Sequence, residues 1–209
     1  MNLLLTAGPT REYFDSVRFL SNASTGRMGY AIAAEAVRRG HHVILVSGPV
    51  DITPPEGVEL IRVVSASEML AAAARGFDRA DAAIMAAAVC DYRPATREAT
   101  KMPKALSGLS LSLEPTADIC AHLGAIKGTR VMVGFAMEDH DHHAHAEGKL
   151  RRKHCDAIIL NDVSTAGAES GSIEIFRSAG GWSGRHSGTK AALAAAIVDL
   201  VEGLVSPRG

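Results

Sequence analysis

The 209-residue chain has three cysteines, few aromatic side chains and almost no net charge, and each shortage excludes a class of protein. Cys90, Cys120 and Cys155 are odd in number, far apart and contain no CxxC pair. That pattern supports neither a disulfide framework nor a zinc site, and it fits a reducing compartment. Aromatic residues make up 4 % of the chain while apolar residues reach 47 %. The core must therefore be built from Ala, Val, Leu and Ile, the composition of helices packed on a parallel sheet. With 22 Lys plus Arg against 23 Asp plus Glu, no general field draws the chain to nucleic acid or to a membrane surface. Any anion site has to be local. The apolar opening Leu3-Leu4-Leu5 is too short for a signal peptide, and no later run approaches about 18 uninterrupted apolar residues. A soluble, cytoplasmic protein is expected.

What is present is a regular alternation. Residues 2–7 form an apolar run, 30–39 carry Ala, Ile and Val at helical spacing before Gly40, and 42–47 (HVILVS) read as a buried strand. This is the strand–helix–strand unit of a parallel sheet. Further strands are predicted at 58–64, 82–87, 130–135, 157–161 and 172–177, with helices at 66–75, 117–126, 141–154 and 190–204. The expectation is a single α/β domain over residues 1–209, three-layer and Rossmann-like, with a mostly parallel sheet flanked by helices. Residues 89–113 break the rhythm with Pro94, Pro103, Arg93, Arg97, Lys101 and the alternating GLSLSLE from Gly108. Alternation predicts a half-exposed strand in a protruding arm or flap. Residues 206–209 read as a loose tail.

The connection between the first strand and helix is long. Residues 8–29 read GPTREYFDSVRFLSNASTGRMG, whereas most such connections take about two to six residues, and longer ones are usually functional. Ser21, Ser24, Thr25, Gly26 and Gly29 offer hydroxyls and bare backbone N–H groups before a helix N-terminus, and Arg11, Arg18 and Arg27 add positive charge. This is an anion site. A dinucleotide reductase is the first rival, but the GxGxxG spacing is missing and the second strand ends in Ser47-Gly48 where a ribose-binding acid is expected. The tyrosine–lysine pairing of short-chain reductases and the GxxxxGK[ST] phosphate loop are also missing. Four histidines, His140, His142, His143 and His145, lie in HDHHAH, where His142 and His145 could share a helical face. Without a partner cysteine the tract reads as a solvated helix start, and no metal site is assigned to it.

SVRFLSNASTGRMGYAIA, AAAVCDYRP, Lys101 ten positions after Asp91, PTADI, VGFAME, the Lys149/Lys153 pair and LNDVS occur in one order. Together they resemble the phosphopantothenoylcysteine synthetase family over nearly the whole chain. The resemblance implies a ligase of coenzyme A biosynthesis. Such a ligase activates 4′-phosphopantothenate with a nucleoside triphosphate to an acyl-nucleotidylate and then joins it to L-cysteine. It also implies a homodimer with the arm at the dimer contact, Mg²⁺ carried on the nucleotide, and CTP in preference to ATP. In many bacteria the synthetase is fused behind a flavin-dependent decarboxylase; this chain reads as a stand-alone form, with a separate decarboxylase as a candidate partner. A nucleotide-binding module without catalysis is a further alternative, against which both Asn22 and Lys101 speak.

By the same resemblance Asn22 holds the acyl-nucleotidylate carbonyl while cysteine attacks, although an isolated Asn here would read as an Asx-turn residue. Arg18 matches the family arginine four residues earlier. Lys101 neutralises the triphosphate from a mobile flap, where a lone lysine would read as a solvated side chain. The nucleotide-contacting positions implied are Gly8, Ser24, Gly26, Ala87, Ala88, Asp91, Ala117, Asp118, Ile119, Cys120, Phe135, Lys149 and Lys153. Pro103 in KMPK and Ala117 in PTADI depart from the family pattern. Asn161 and Asp162 end a strand, where open α/β sheets place ligand loops.

Overall fold

Leu3, Leu4 and Leu5 of β1 (Asn2–Ala7) are all fully buried, which requires a strand covered on both faces. A short hairpin, β2 (Arg11–Tyr13) and β3 (Phe19–Ser21), separates it from α1 (Arg27–Arg38). Then follow β4 (His42–Ser47), β5 (Glu59–Arg62), α2 (Ala66–Phe77) and β6 (Ala82–Met85). The paired arm strands β7 (Tyr92–Pro94) and β8 (Leu113–Pro115) lead into α3 (Ile119–Ala125), β9 (Val131–Met137), α4 (His142–Arg152) and β10 (Ala157–Asn161). Last come β11 (Ser170–Arg177), β12 (Gly181–Trp182), β13 (His186–Thr189) and α5 (Lys190–Val205). This computed structural model describes residues 1–104, 108–137, 140–162 and 168–205.

The main sheet has the order β12-β11-β10-β9-β6-β1-β4-β5, with β13 also on β11. From β10 to β5 every neighbouring pair is parallel; β11 is antiparallel to β10, β12 and β13. Side chains alternate between faces, so Leu3, Leu5 and Ala7 pack with Tyr30, Ile32, Leu193 and Ile197 of α1 and α5. Leu4 instead meets Met69, Phe77 and Leu123 of α2 and α3, and Ala146 and Leu150 of α4 cover Ile158 and Leu160 of β10. The expected three layers are present. Among the described residues, no helix is long and apolar enough to cross a membrane.

The structure departs from the sequence expectation in three places. The connection 8–29 is not an open loop, because β2 and β3 pair within it and the Tyr13 and Phe19 rings meet at 5.1 Å. Of GLSLSLE only Leu113 and Glu114 enter a strand, since β8 pairs with the three-residue β7 alone; residues 105–107 of the arm and 206–209 of the tail lie outside the described residues. The strands β12 and β13 have no sequence signal, because GW and HSGT offer no apolar alternation.

Arg39 at the end of α1 ties the two helices of one layer together. Its guanidinium donates to Glu35 at 2.7 Å, Asp199 at 2.5 Å and Glu202 at 2.8 Å. Hydrogen bonds from Arg38 and Arg39 hold the Glu35 carboxyl down at about 2. A lowered carboxyl contributes stability above its unfolded value and loses it as pH falls through the folded one. Arg39→Ala is expected to lower stability at pH 7 by about 1–2 kcal/mol in urea unfolding, and by less as pH falls toward about 2 and Glu35 takes up its proton.

Candidate active site

Strands β1 and β6 are neighbours, yet the chain leaves β1 for α1 on one face and leaves β6 for α3 on the other. Where connections diverge in this way, an open α/β sheet leaves a crevice at the carboxyl ends of its strands. Thr6, Met85, Phe135, Ala136, Met137 and Asn161 line a cavity of about 630 Å³ there, within the range of small-ligand sites.

The first wall is the N-terminus of α1, with Ser24, Thr25, Gly26 and Arg27 facing the cavity. Gly26 precedes the helix at φ 77, a left-handed conformation that glycine adopts without strain. Gly29 lets α1 lie on β1, because a Cβ there would stand 2.6 Å from that of Ala7. The N–H groups of the first turn, which have no partners within the helix, and the helix dipole make this end attractive to anions.

The second wall is the connection after β6, with Ala86, Ala87, Ala88, Val89 and Asp91. Its backbone is fixed to the end of β1: Ala87 N donates to Thr6 Oγ1 at 3.3 Å and Ala88 N to Gly8 O at 2.9 Å. Asn22 closes the corner between the two walls, its Nδ2 donating to Ala88 O at 3.1 Å and Val89 O at 2.9 Å. The amide expected to bind an oxyanion is thus committed to two backbone carbonyls in this structure.

Thr116, Ala117, Asp118, Ile119 and Cys120 form the third wall with Lys149 and Lys153 of α4 and its end. Asp118 lies before α3 rather than within it, because its side chain caps the helix by accepting from Ala121 N at 3.0 Å. Lys153 Nζ pairs with its other oxygen at 2.8 Å. Burial pushes the Asp118 carboxyl up, but Lys153 and the Ala121 N–H outweigh it and hold the group below its usual range. Asp162 accepts from Arg185 at 3.2 Å at the far end.

Gly8, Arg18 and Lys101 do not line the cavity. Gly8, at φ 72, instead underlies Gly26: a Cβ on Gly26 would stand 3.4 Å from Gly8 Cα. Arg18 pairs with Asp15 at 3.1 Å and donates to Met102 O at 3.2 Å, while Arg11 stacks on Phe19 at 4.6 Å. The loop arginines therefore divide, Arg11 and Arg18 holding the hairpin and arm and Arg27 facing the cavity. Lys101 is exposed on the arm beside Met102. Lys190 at the start of α5 was not anticipated, and burial lowers its amine below the ordinary value. The helix start was legible in Thr189, which accepts from Ala192 N at 3.2 Å, but its return to the cavity depends on β13. Glu138, Val163 and Ser164 of the quoted motifs lie outside the described residues.

Among the described residues, His140, Asp141 and His145 bring ligand atoms within 4.8 Å of one another, without His142 and outside the cavity. This exposed, nitrogen-rich set is unlike the oxygen donors that Mg²⁺ takes. Asp91 and Asp162 supply carboxylate oxygens within the cavity itself.

The arm is held by one buried carboxylate. Asp15 accepts from Val17 N at 2.7 Å, Arg18 N at 2.6 Å and Met102 N at 3.2 Å. Burial raises its pKa, but these N–H groups outweigh burial and leave it below the ordinary aspartate value of 3.8. The contact is present above 3.8 and is lost as pH falls through the lower folded value. The amide signals of Val17, Arg18 and Met102 are expected to titrate together in NMR below pH 3.8. Asp15→Asn should displace the Met102 signal at pH 7, because an amide cannot accept at all these positions.

Residues 1–204 match the family described as DNA/pantothenate metabolism flavoprotein C-terminal domain. The chain is 46 % identical over 171 residues to the coenzyme A biosynthesis bifunctional protein CoaBC of Bacillus subtilis, covering 81 % of this chain and 42 % of that one. It thus spans less than half the length of that relative. A crystal structure of the C-terminal domain of a coenzyme A biosynthesis bifunctional protein CoaBC superposes with TM-score 0.83 at 37 % identity, covering 98 % of this chain and 95 % of that chain. A Cab2 mutant in complex with phosphopantothenate-cysteine shares the fold alone, with TM-score 0.77 and 16 % identity over 98 % of this chain and 87 % of that chain. With its cavity at the divergence of β1 and β6, the chain belongs to the DNA/pantothenate metabolism flavoprotein C-terminal domain family.

Proposed function

We propose that the chain is a phosphopantothenate–cysteine ligase of coenzyme A biosynthesis. It activates the carboxylate of 4′-phosphopantothenate with a nucleoside triphosphate, releases pyrophosphate, and transfers the acyl group from the acyl-nucleotidylate to the amine of L-cysteine. The observation that carries this reading is the cavity itself, which opposes the N-terminus of α1 to Lys149 and Lys153 in a member of this family. Such a site can hold a polyanion and an activated carboxylate together without a strong base nearby.

Ser24, Gly26 and Arg27 hold phosphate oxygens at the helix end. The backbone of Ala87 and Ala88 and the carboxylate of Asp91 position the base and ribose, with Phe135 beside the base and residues 117–120 closing over it. Lys153 exchanges Asp118 for a phosphate oxygen, and Lys149 assists from one helical turn away. Asn22 releases the Ala88 and Val89 carbonyls and turns its N–H donors to the acyl oxygen as cysteine attacks. Lys101 approaches from the arm during the first step. Mg²⁺ carried on the nucleotide would offset phosphate charge, held by phosphate oxygens and water, with the Asp162 carboxylate lining the same cavity.

CTP is the preferred nucleotide, ATP the poorer one, a choice supported by the bacterial pattern of the motifs. The chain works as a homodimer joined through the hairpin and arm, where Val17 is 55 %, Tyr92 57 % and Leu109 54 % exposed. A flavin-dependent decarboxylase, separate or fused, consumes the product.

Incubation with 4′-phosphopantothenate, cysteine, Mg²⁺ and CTP should release pyrophosphate faster than with ATP. No release with either nucleotide contradicts the ligase reading, and hydride transfer from NADPH would replace it with a reductase. Asn22→Asp is expected to accumulate acyl-nucleotidylate and lower overall turnover by about 10²–10³-fold, the loss typical of an oxyanion donor. Lys101→Gln is expected to fail at the first step; equal accumulation of intermediate in both variants would contradict this division of roles.

A further inference from the structure

Two thiols meet behind the third wall of the cavity. Cys120, in the first turn of α3, lines the cavity, and Cys155, just before β10, is buried. Their sulfurs are 3.5 Å apart. Two glycines permit this approach. A Cβ on Gly134 of β9 would stand 3.2 Å from Cys155 Sγ and 3.7 Å from Cys120 Sγ, so the pair occupies the space above a bare Cα. A Cβ on Gly124 would stand 2.0 Å from Lys153 O, so only glycine lets α3 lie against the segment carrying Cys155. Neither thiol takes a chemical step in the ligation proposed above.

Their surroundings make them unequal. The hydrogen bond from Cys155 lowers the Cys120 thiol against the effect of burial, with Lys153 and Lys149 assisting. The same contact, followed by burial, pushes Cys155 up. An oxidant entering through the cavity therefore meets the more acidic thiol first, with a second thiol in reach behind it. Cys90, by contrast, is buried against Thr10 O and Leu20 O.

We propose that Cys120 and Cys155 are a modification site for peroxide-class oxidants, forming a reversible disulfide that weakens nucleotide binding. The effect on nucleotide rests on the functional reading above. The Cys120 thiolate attacks one peroxide oxygen; the O–O bond breaks, leaving a sulfenic acid and a hydroxide that is protonated to water. The Cys155 sulfur then attacks the Cys120 sulfur, the S–O bond breaks, and the departing hydroxide takes the Cys155 proton as a second water. Two thiols lose two electrons and one hydrogen peroxide gains them. The sulfurs close from 3.5 Å to about 2.05 Å. That movement draws the first turn of α3 toward residues 153–155 and locks Lys153 on Asp118, 2.8 Å away, instead of on phosphate.

The test treats the full chain with a small excess of hydrogen peroxide, alkylates the remaining thiols and measures intact mass and tryptic peptides. The expected result is a mass of one alkyl group, on Cys90, less about 2 Da, and a peptide joining Cys120 to Cys155. Cys90→Ser should behave in the same way, whereas Cys120→Ser and Cys155→Ser should give no such intramolecular peptide. CTP titrated into oxidised protein should bind at least about tenfold more weakly than into reduced protein, with recovery in dithiothreitol. Three alkylatable thiols after treatment, oxygen added to Cys120 without the joined peptide, or undiminished CTP binding by cross-linked protein would each overturn the proposal. If reduced protein binds no CTP while the joined peptide forms, the nucleotide reading and the weakening fail, and the disulfide stands.

Discussion

The site depends on one topological constraint: the chain leaves two adjacent parallel strands toward opposite faces of the sheet. Because α1 follows β1 on one side and α3 follows β6 on the other, the carboxyl ends of these strands open into the cavity. The remaining features refine that gap. Gly29 and Gly26 bring a helix N-terminus to its edge, Thr6 and Gly8 fix the backbone after β6, and Asn22 joins these two walls. Cations occupy the opposite wall because α4 presents Lys149 and Lys153 one turn apart.

A second constraint separates anchoring from chemistry. The long connection 8–29 spends much of its length on the β2–β3 hairpin, whose turn holds the arm through Asp15, Arg18 and Met102. Arg97 over the Tyr13 ring at 5.1 Å and Glu98 N on Phe14 O at 2.9 Å continue the same contact. A charge in this loop is therefore not automatically a ligand for the cavity. The arm that carries Lys101 is coupled to the cavity wall through the hairpin, which gives the proposed closure a mechanical route without a direct contact in this structure.

The central sheet was legible because strands buried on both faces have continuous apolar sequences; residues 2–7, 42–47 and 157–161 coincide with β1, β4 and β10. The hairpin was not, since its pairing rests on Tyr13, Phe19 and an arginine rather than on alternation. Most of the cavity-facing residues implied by resemblance converge, among them Ser24, Ala88, Asp91, Phe135 and Lys153. Lys190 escaped because its position depends on β13 returning antiparallel along β11, a long-range pairing that HSGT does not announce. The thiol pair escaped for a similar reason: Cys120 and Cys155 are distant in sequence and meet only because Gly134 and Gly124 leave room.

The most direct measurement is an NMR titration of the protein with CTP and Mg²⁺, following backbone amides. The account predicts that Gly26, Ala87, Ala88, Asp118 and Phe135 shift together on one saturation curve, since they surround one cavity. Shifts centred on the His140–His145 tract, or none around the cavity at saturating nucleotide, would contradict it.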